Sequence, residues 1–192
     1  MPGDRMNIFD PQGPVAAAQQ TILIDSVIIM LAIIVPTSIA VLAAAYWFRS
    51  SNTKARYRPD FAYSGAVELV VWSIPALTVI LLGGVAWIGS HELDPGKPVD
   101  GTGLPIRIQA VSLDWKWLFI YPEYGIASLN ELAAPVNRPL DFKITASSVM
   151  NSFYIPALAG QIYAMPGMQS RLHAVINKPG LYRGFSANYS GA

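Results

Sequence analysis

Two histidines, six methionines and no cysteine limit the metal chemistry open to this chain of 192 residues. A copper site of the His/Cys type needs a thiolate, so none can form. A disulfide, an iron–sulfur cluster and a thiolate nucleophile are excluded on the same ground. His91 closes an apolar stretch and reads as an interfacial residue, while His173 alternates with Arg171 and reads as a surface or hydrogen-bonded strand residue. Met150, Met165 and Met168 have soft sulfurs, but with no Cys or paired His beside them they read as packing residues. No G-x-S-x-G, H-E-x-x-H or P-loop pattern appears, and no pair of carboxylates sits in a catalytic setting, so no catalytic residue is assigned. Thirteen Lys plus Arg against twelve Asp plus Glu leave a net charge of +1, without the basic surplus that would neutralise a run of phosphates in nucleic acid.

The densest feature is VSLDWKWLFIYPEYG. Read as a strand, it puts Trp115, Trp117, Phe119 and Tyr121 on one face and Lys116, Leu118 and Ile120 on the other. An aromatic ladder of this kind is core or subunit interface. Glu68 is the other isolated feature: an acid at the start of an apolar stretch, where a helix dipole would stabilise it by about 0.3 to 1 kcal/mol.

The elements that must position these residues fall into two classes. Ser26 to Phe48 and Leu69 to Ser90 carry no charge and no polar stripe. As helices each would be about 33 to 35 Å long, enough to cross a hydrocarbon core of about 30 Å. Low charge overall, 13% against about 25% in soluble domains, agrees with a chain partly in lipid. Pro36 and Pro75 lie inside the two stretches, where each removes a backbone donor and is expected to kink its helix. The first stretch is too long for the apolar region of a signal peptide, about 7 to 15 residues, and is read as a retained span. Arg49, Lys54, Arg56 and Arg58 lie between the spans while only Arg5 precedes them, so that loop is expected in the cytoplasm and both termini outside.

Beyond His91 the run HELDPGKPVDGTGLP breaks any helix. Ile106, Ile108 and Ala110 then alternate with Arg107 and Gln109, and Leu140, Phe142 and Ile144 with Asp141, Lys143 and Thr145, the period of half-buried strands. Ser170 to Ile176 and Leu181 to Ala187 are further expected strands. Turn signals every 10 to 15 residues point to an all-β sandwich or barrel. The expected organisation is an outer N-terminal segment over 1–21, a helical hairpin over 22–90 with spans near 26–48 and 69–90 and a cytoplasmic loop over 49–68, a linker over 91–103, and a β-domain over 104–192.

The segments FDPQG, VELVVWSIP, HELDPGKP, VSLDWKWLFIYPEYGIASLNELAAP, SSVMNSFYIP, GQIYAMPGMQSRLH and NKPGLYRGFSANYSG together resemble subunit II of haem–copper terminal oxidases, most closely the cytochrome o-type ubiquinol oxidases. The resemblance implies a transmembrane hairpin followed by a periplasmic cupredoxin-like Greek-key domain in a bacterial inner membrane. It also implies a subunit without its own cofactor, in a proton-pumping complex whose haems and copper lie in subunit I and whose substrate is ubiquinol. Subunits III and IV and membrane lipid would be further partners. The copper-bearing branch of the family supplies a test. Its first His ligand corresponds to Asn151, its bridging Cys pair to Ser186 and Ser190, and the Glu between them to Asn188. An amide and two hydroxyls cannot replace these donors, so the resemblance implies no copper and no oxidation of cytochrome c here.

Trp115 matches the tryptophan of the family's electron entry face, where packing is the reading preferred. Glu68 matches the glutamate at the mouth of a proton pathway into subunit I, making it the candidate for proton entry. Relatives carry a lipidated Cys shortly before FDPQG and a further strand after SANYSG, so the resemblance implies either a truncated start or a member that is not a lipoprotein, and a C-terminally truncated domain. Rival readings are a menaquinol oxidase subunit, a membrane-anchored binding module without a respiratory partner, and a copper electron-transfer protein.

Overall fold

The computed structural model describes residues 8–56 and 58–188. Two long helices, α1 (Pro14–Trp47) and α2 (Gly65–Glu92), precede eight strands. The helices fit the sequence locally. Gly13 accepts the first helical bond from Ala17 N (3.0 Å), and Pro14 occupies the first turn, where its missing N–H costs nothing. At the start of α2, Ser64 accepts from Glu68 N at 2.9 Å. Both helices run on through Pro36 and Pro75, and Thr78 Oγ1 donates to Ile74 O at 2.7 Å, one turn back. α1 begins twelve residues before the charge-free stretch, because Pro14 to Asp25 is made of helix formers that hydropathy alone does not mark.

The chain divides into two compact units, with boundaries between Thr21 and Ile22 and between Ser90 and His91. In the helical unit nearly every large apolar side chain is exposed. α1 and α2 meet where Ile22 lies against Gly89; a Cβ on Gly89 would come within 2.5 Å of Ile22 Cδ1.

The second unit is a β-domain. Strands β1 (Ile106–Leu113), β2 (Lys116–Tyr121), β3 (Ile126–Leu129), β4 (Pro139–Ala146) and β7 (Ser170–Val175) form one sheet in the order β3-β2-β1-β4-β7. The β1–β4 pair is parallel and the others are antiparallel. Strands β5 (Asn151–Tyr154), β6 (Ile162–Ala164) and β8 (Phe185–Ser186) form a second sheet in the order β6-β5-β8. Period-two alternation does what it predicts: Ile106, Ile108 and Ala110 of β1 and Leu140, Phe142 and Ile144 of β4 are all buried. Phe153 of β5 closes the core from the second sheet, its ring centre 5.2 Å from Trp117, 5.6 Å from Phe142 and 6.1 Å from Phe119. Two packed sheets with a parallel β1–β4 pair make the cupredoxin-like sandwich expected.

Residues before the charge-free stretch are part of this unit. Gln12 is buried; its N donates to Ala157 O (2.8 Å) and its carbonyl accepts from Asn177 N (2.8 Å). Gly13 has no room for a side chain, since a Cβ would meet Val175 O at 2.6 Å and Leu158 O at 2.8 Å.

Two expectations are corrected. The strand expected over 181–187 shrinks to Phe185–Ser186, paired with Tyr154 and Phe153. Gly184 presses against Tyr154 O and Ile155, and Pro179 with Gly180 turns the chain just before. The aromatic ladder has three members rather than four, because Trp115 lies in the two-residue turn between β1 and β2 with φ +58° and is 78% exposed.

Candidate functional site

Two hydrogen bonds between the sheets involve positions that the resemblance pairs with copper ligands. Asn151, the first residue of β5, is 3% exposed and donates Nδ2–H to Ser112 Oγ of β1 at 2.9 Å. Its Oδ1 accepts from Ser152 N at 2.7 Å. Ser186 of β8 accepts from Trp117 Nε1 at 3.2 Å. Asn188 is half-buried just beyond β8, and Ser190 lies outside the described residues. The Asn151–Ser112 and Trp117–Ser186 bonds join neutral groups, and each ties the second sheet to the first. Such a network stabilises by about 1 kcal/mol per bond and offers no anionic donor. Among the described residues, no group of three or more His, Cys, Asp or Glu side chains is placed to hold a metal.

The histidines and methionines are scattered around this network. His91 ends α2 and is exposed; its carbonyl accepts from Lys97 Nζ. His173 of β7 stands opposite Asp141 of β4, with Nε2 3.8 Å from Oδ1 and its side chain 11% exposed. It is therefore a buried cross-strand pairing residue, and Asp141 Oδ1 has no hydrogen-bond partner. Sequence alternation marked both positions as polar but could not give the register that opposes them. Met165 and Met168 contribute backbone carbonyls, both accepting from Thr145 Oγ1, at 3.2 and 2.8 Å. Met150 is half-buried immediately before β5.

The three remaining ladder residues line a cavity of about 1020 Å³ in the β-domain, together with Phe153, Tyr182 and Phe185. Phe119 and Tyr121 are core residues, and Tyr121 OH both donates to Ala133 O (3.0 Å) and accepts from Ala133 N (2.9 Å). Trp115 does not reach this wall. Ser148 Oγ donates to Asp114 Oδ1 at 2.9 Å, which fixes the turn carrying Trp115.

Glu68 belongs to the helical unit, exposed in the first turn of α2.

Residues 126–192 match the family described as cytochrome c oxidase subunit II, periplasmic domain. Over 98% of its length the chain is 48% identical to the cytochrome bo(3) ubiquinol oxidase subunit 2 of Pseudomonas aeruginosa, of which it spans 57%. It is 46% identical to the ubiquinol oxidase subunit 2 of Acetobacter aceti, spanning 62% of that protein, and 31% identical to the quinol oxidase subunit 2 of Bacillus cereus, spanning 65%. The chain thus spans about three fifths of the length of the curated relatives it matches.

Proposed function

From a chain that carries the periplasmic domain of oxidase subunit II and resembles that subunit along nearly its whole length, we propose that the protein is subunit II of a respiratory quinol oxidase. In this role it is a non-catalytic part of a proton-pumping complex that passes electrons from quinol to oxygen. The observation that carries the reading is the chemistry at the positions that the resemblance pairs with copper ligands. There Asn151 and Ser186 are neutral groups hydrogen-bonded to Ser112 and Trp117, which supports a domain without a redox centre. Electrons then enter the complex elsewhere, from quinol in the membrane to the haems and copper of subunit I. Ubiquinol is preferred over menaquinol, because the relatives at 46 to 48% identity are ubiquinol oxidase subunits.

Each unit has its own task. The exposed apolar faces of α1 and α2 brace subunit I and meet lipid, with subunits III and IV as further neighbours. Charge between the spans sets the loop in the cytoplasm of an inner membrane and the β-domain in the periplasm. On that side of the membrane Glu68 stands where cytoplasmic protons are collected. An ionisable group at the end of an apolar helix is costly to keep, which supports a proton-entry role. Glu68→Gln is expected to slow turnover and proton uptake severalfold while haem content stays normal; unchanged turnover removes Glu68 from the pathway.

The reading is tested by tagging the chain and extracting it from native membranes in mild detergent. A reduced-minus-oxidised spectrum of the product should show haem bands at about one complex per tagged chain. A colourless chain, under conditions that preserve other respiratory complexes, would favour a free-standing anchored module.

A further inference from the structure

Arg49, Lys54, Arg56 and Arg58 fall within ten residues between α1 and α2, with Asp60 the acid nearest them. All four cations are exposed. A loop whose charge merely set topology would need no fixed geometry, yet this one is held. Arg49 Nη1 donates to Tyr46 O at 3.1 Å and its Nε to Ser51 Oγ at 3.0 Å, while its guanidinium lies 4.0 Å from the centre of the Tyr46 ring. Asn52 caps the helix end: Nδ2 donates to Trp47 O at 2.6 Å, and Oδ1 accepts from Lys54 N at 3.1 Å. Lys54 is thereby kept close to the end of α1.

Depth is marked by aromatic rings. Tyr46, Trp47 and Phe48 at the end of α1, and Phe61 and Tyr63 before α2, are all exposed. Aromatic side chains at the end of an apolar span sit at the level of lipid headgroups. Cations within a few residues of that band are at the depth of the phosphates, and the guanidinium of Arg49 is held there.

We infer that Arg49, Lys54, Arg56 and Arg58 form a binding site for anionic phospholipid, engaging its phosphodiester oxygens. Arg49 is the member whose side chain is anchored; the backbone of Lys54 is held by Asn52, and Arg56 and Arg58 add charge. The inference rests on the reading of α1 and α2 as membrane spans. A phosphodiester suits this set better than an acidic protein segment, because the aromatic band fixes the cations at headgroup depth.

The test uses the tagged chain with whatever assembles on it, reconstituted in nanodiscs of neutral phospholipid doped with phosphatidylglycerol. Lipid retained after detergent washing is then quantified by mass spectrometry. Phosphatidylglycerol should be enriched over its bulk share. In Arg56→Gln/Arg58→Gln, which leaves Arg49 and Lys54 to hold topology, retention should fall about fivefold for each cation removed. Arg56→Lys/Arg58→Lys should restore it, and inorganic phosphate should not displace it. Retention at the bulk ratio, retention unaffected by the Gln variant, displacement by inorganic phosphate, or cross-linking of these cations to acidic residues of a partner in place of lipid would each overturn the inference. Failure of the membrane reading looks different: the chain would not enter nanodiscs at all.

Discussion

The helical unit and the β-domain hide their apolar residues in opposite ways. In the β-domain Phe142, Ile108, Leu140 and Ile144 are almost wholly buried against side chains of the same chain. In the helices Val79, Trp72 and Leu42 are 71%, 74% and 70% exposed. At roughly 25 cal/mol per Å², burial stabilises the first unit from within, whereas the second leaves most of its apolar surface uncovered by this chain.

The contrast is sharpest under truncation of a large side chain. Phe142→Ala removes a ring that packs on Phe153 at 5.6 Å and should cost about 3 to 5 kcal/mol, read as loss of hydrogen-exchange protection throughout β1 and β4. Val79→Ala should leave the protection of the detergent-solubilised chain unchanged. Comparable losses in both would mean that the helices have packing partners within this chain. A methyl group added to glycine separates the units at a smaller scale. Gly13→Ala drives a Cβ against the backbone oxygens of Val175 and Leu158 and should destabilise the β-domain by about 1 to 3 kcal/mol. Gly84→Ala meets nothing within 4 Å and should stabilise α2 by up to about 1 kcal/mol, so a loss there would reveal a neighbour. The polar tie of the core can be probed in the same way: Tyr121→Phe gives up both bonds to Ala133 and should lower the unfolding midpoint by an amount equivalent to about 1 to 2 kcal/mol.

Much of this was legible in the residues, for physical reasons that differ between the units. Long charge-free stretches exceed the apolar region of a signal peptide and lack a polar stripe, so both helices stand out by length and composition. Period-two alternation located β1 and β4 because each has one face in the core. β3, β5 and β6 are three or four residues long, too short to show a period. The engagement of Gln12 and Gly13 with the β-domain depends on contacts with Ala157, Leu158 and Val175, far away in the sequence, which no local pattern encodes. Trp115 was placed on the ladder because its spacing fits; the turn at Asp114–Trp115 lacks Gly or Asn, and only the register of Leu113 with Lys116 exposes it. At the positions that the resemblance pairs with copper ligands the residue types alone gave the chemistry, an amide and hydroxyls in place of imidazole and thiolates. The bonds from Asn151 to Ser112 and from Trp117 to Ser186 emerge only when the two sheets are stacked.

The claim that joins these parts is that electrons bypass the β-domain. It is tested most directly by measuring oxygen uptake of the complex purified through this chain, with ubiquinol and with reduced cytochrome c offered in turn. Rapid uptake with quinol and none above background with cytochrome c is the result predicted. Oxidation of cytochrome c that disappears when the β-domain is altered at Trp115 or Asn151 would contradict it.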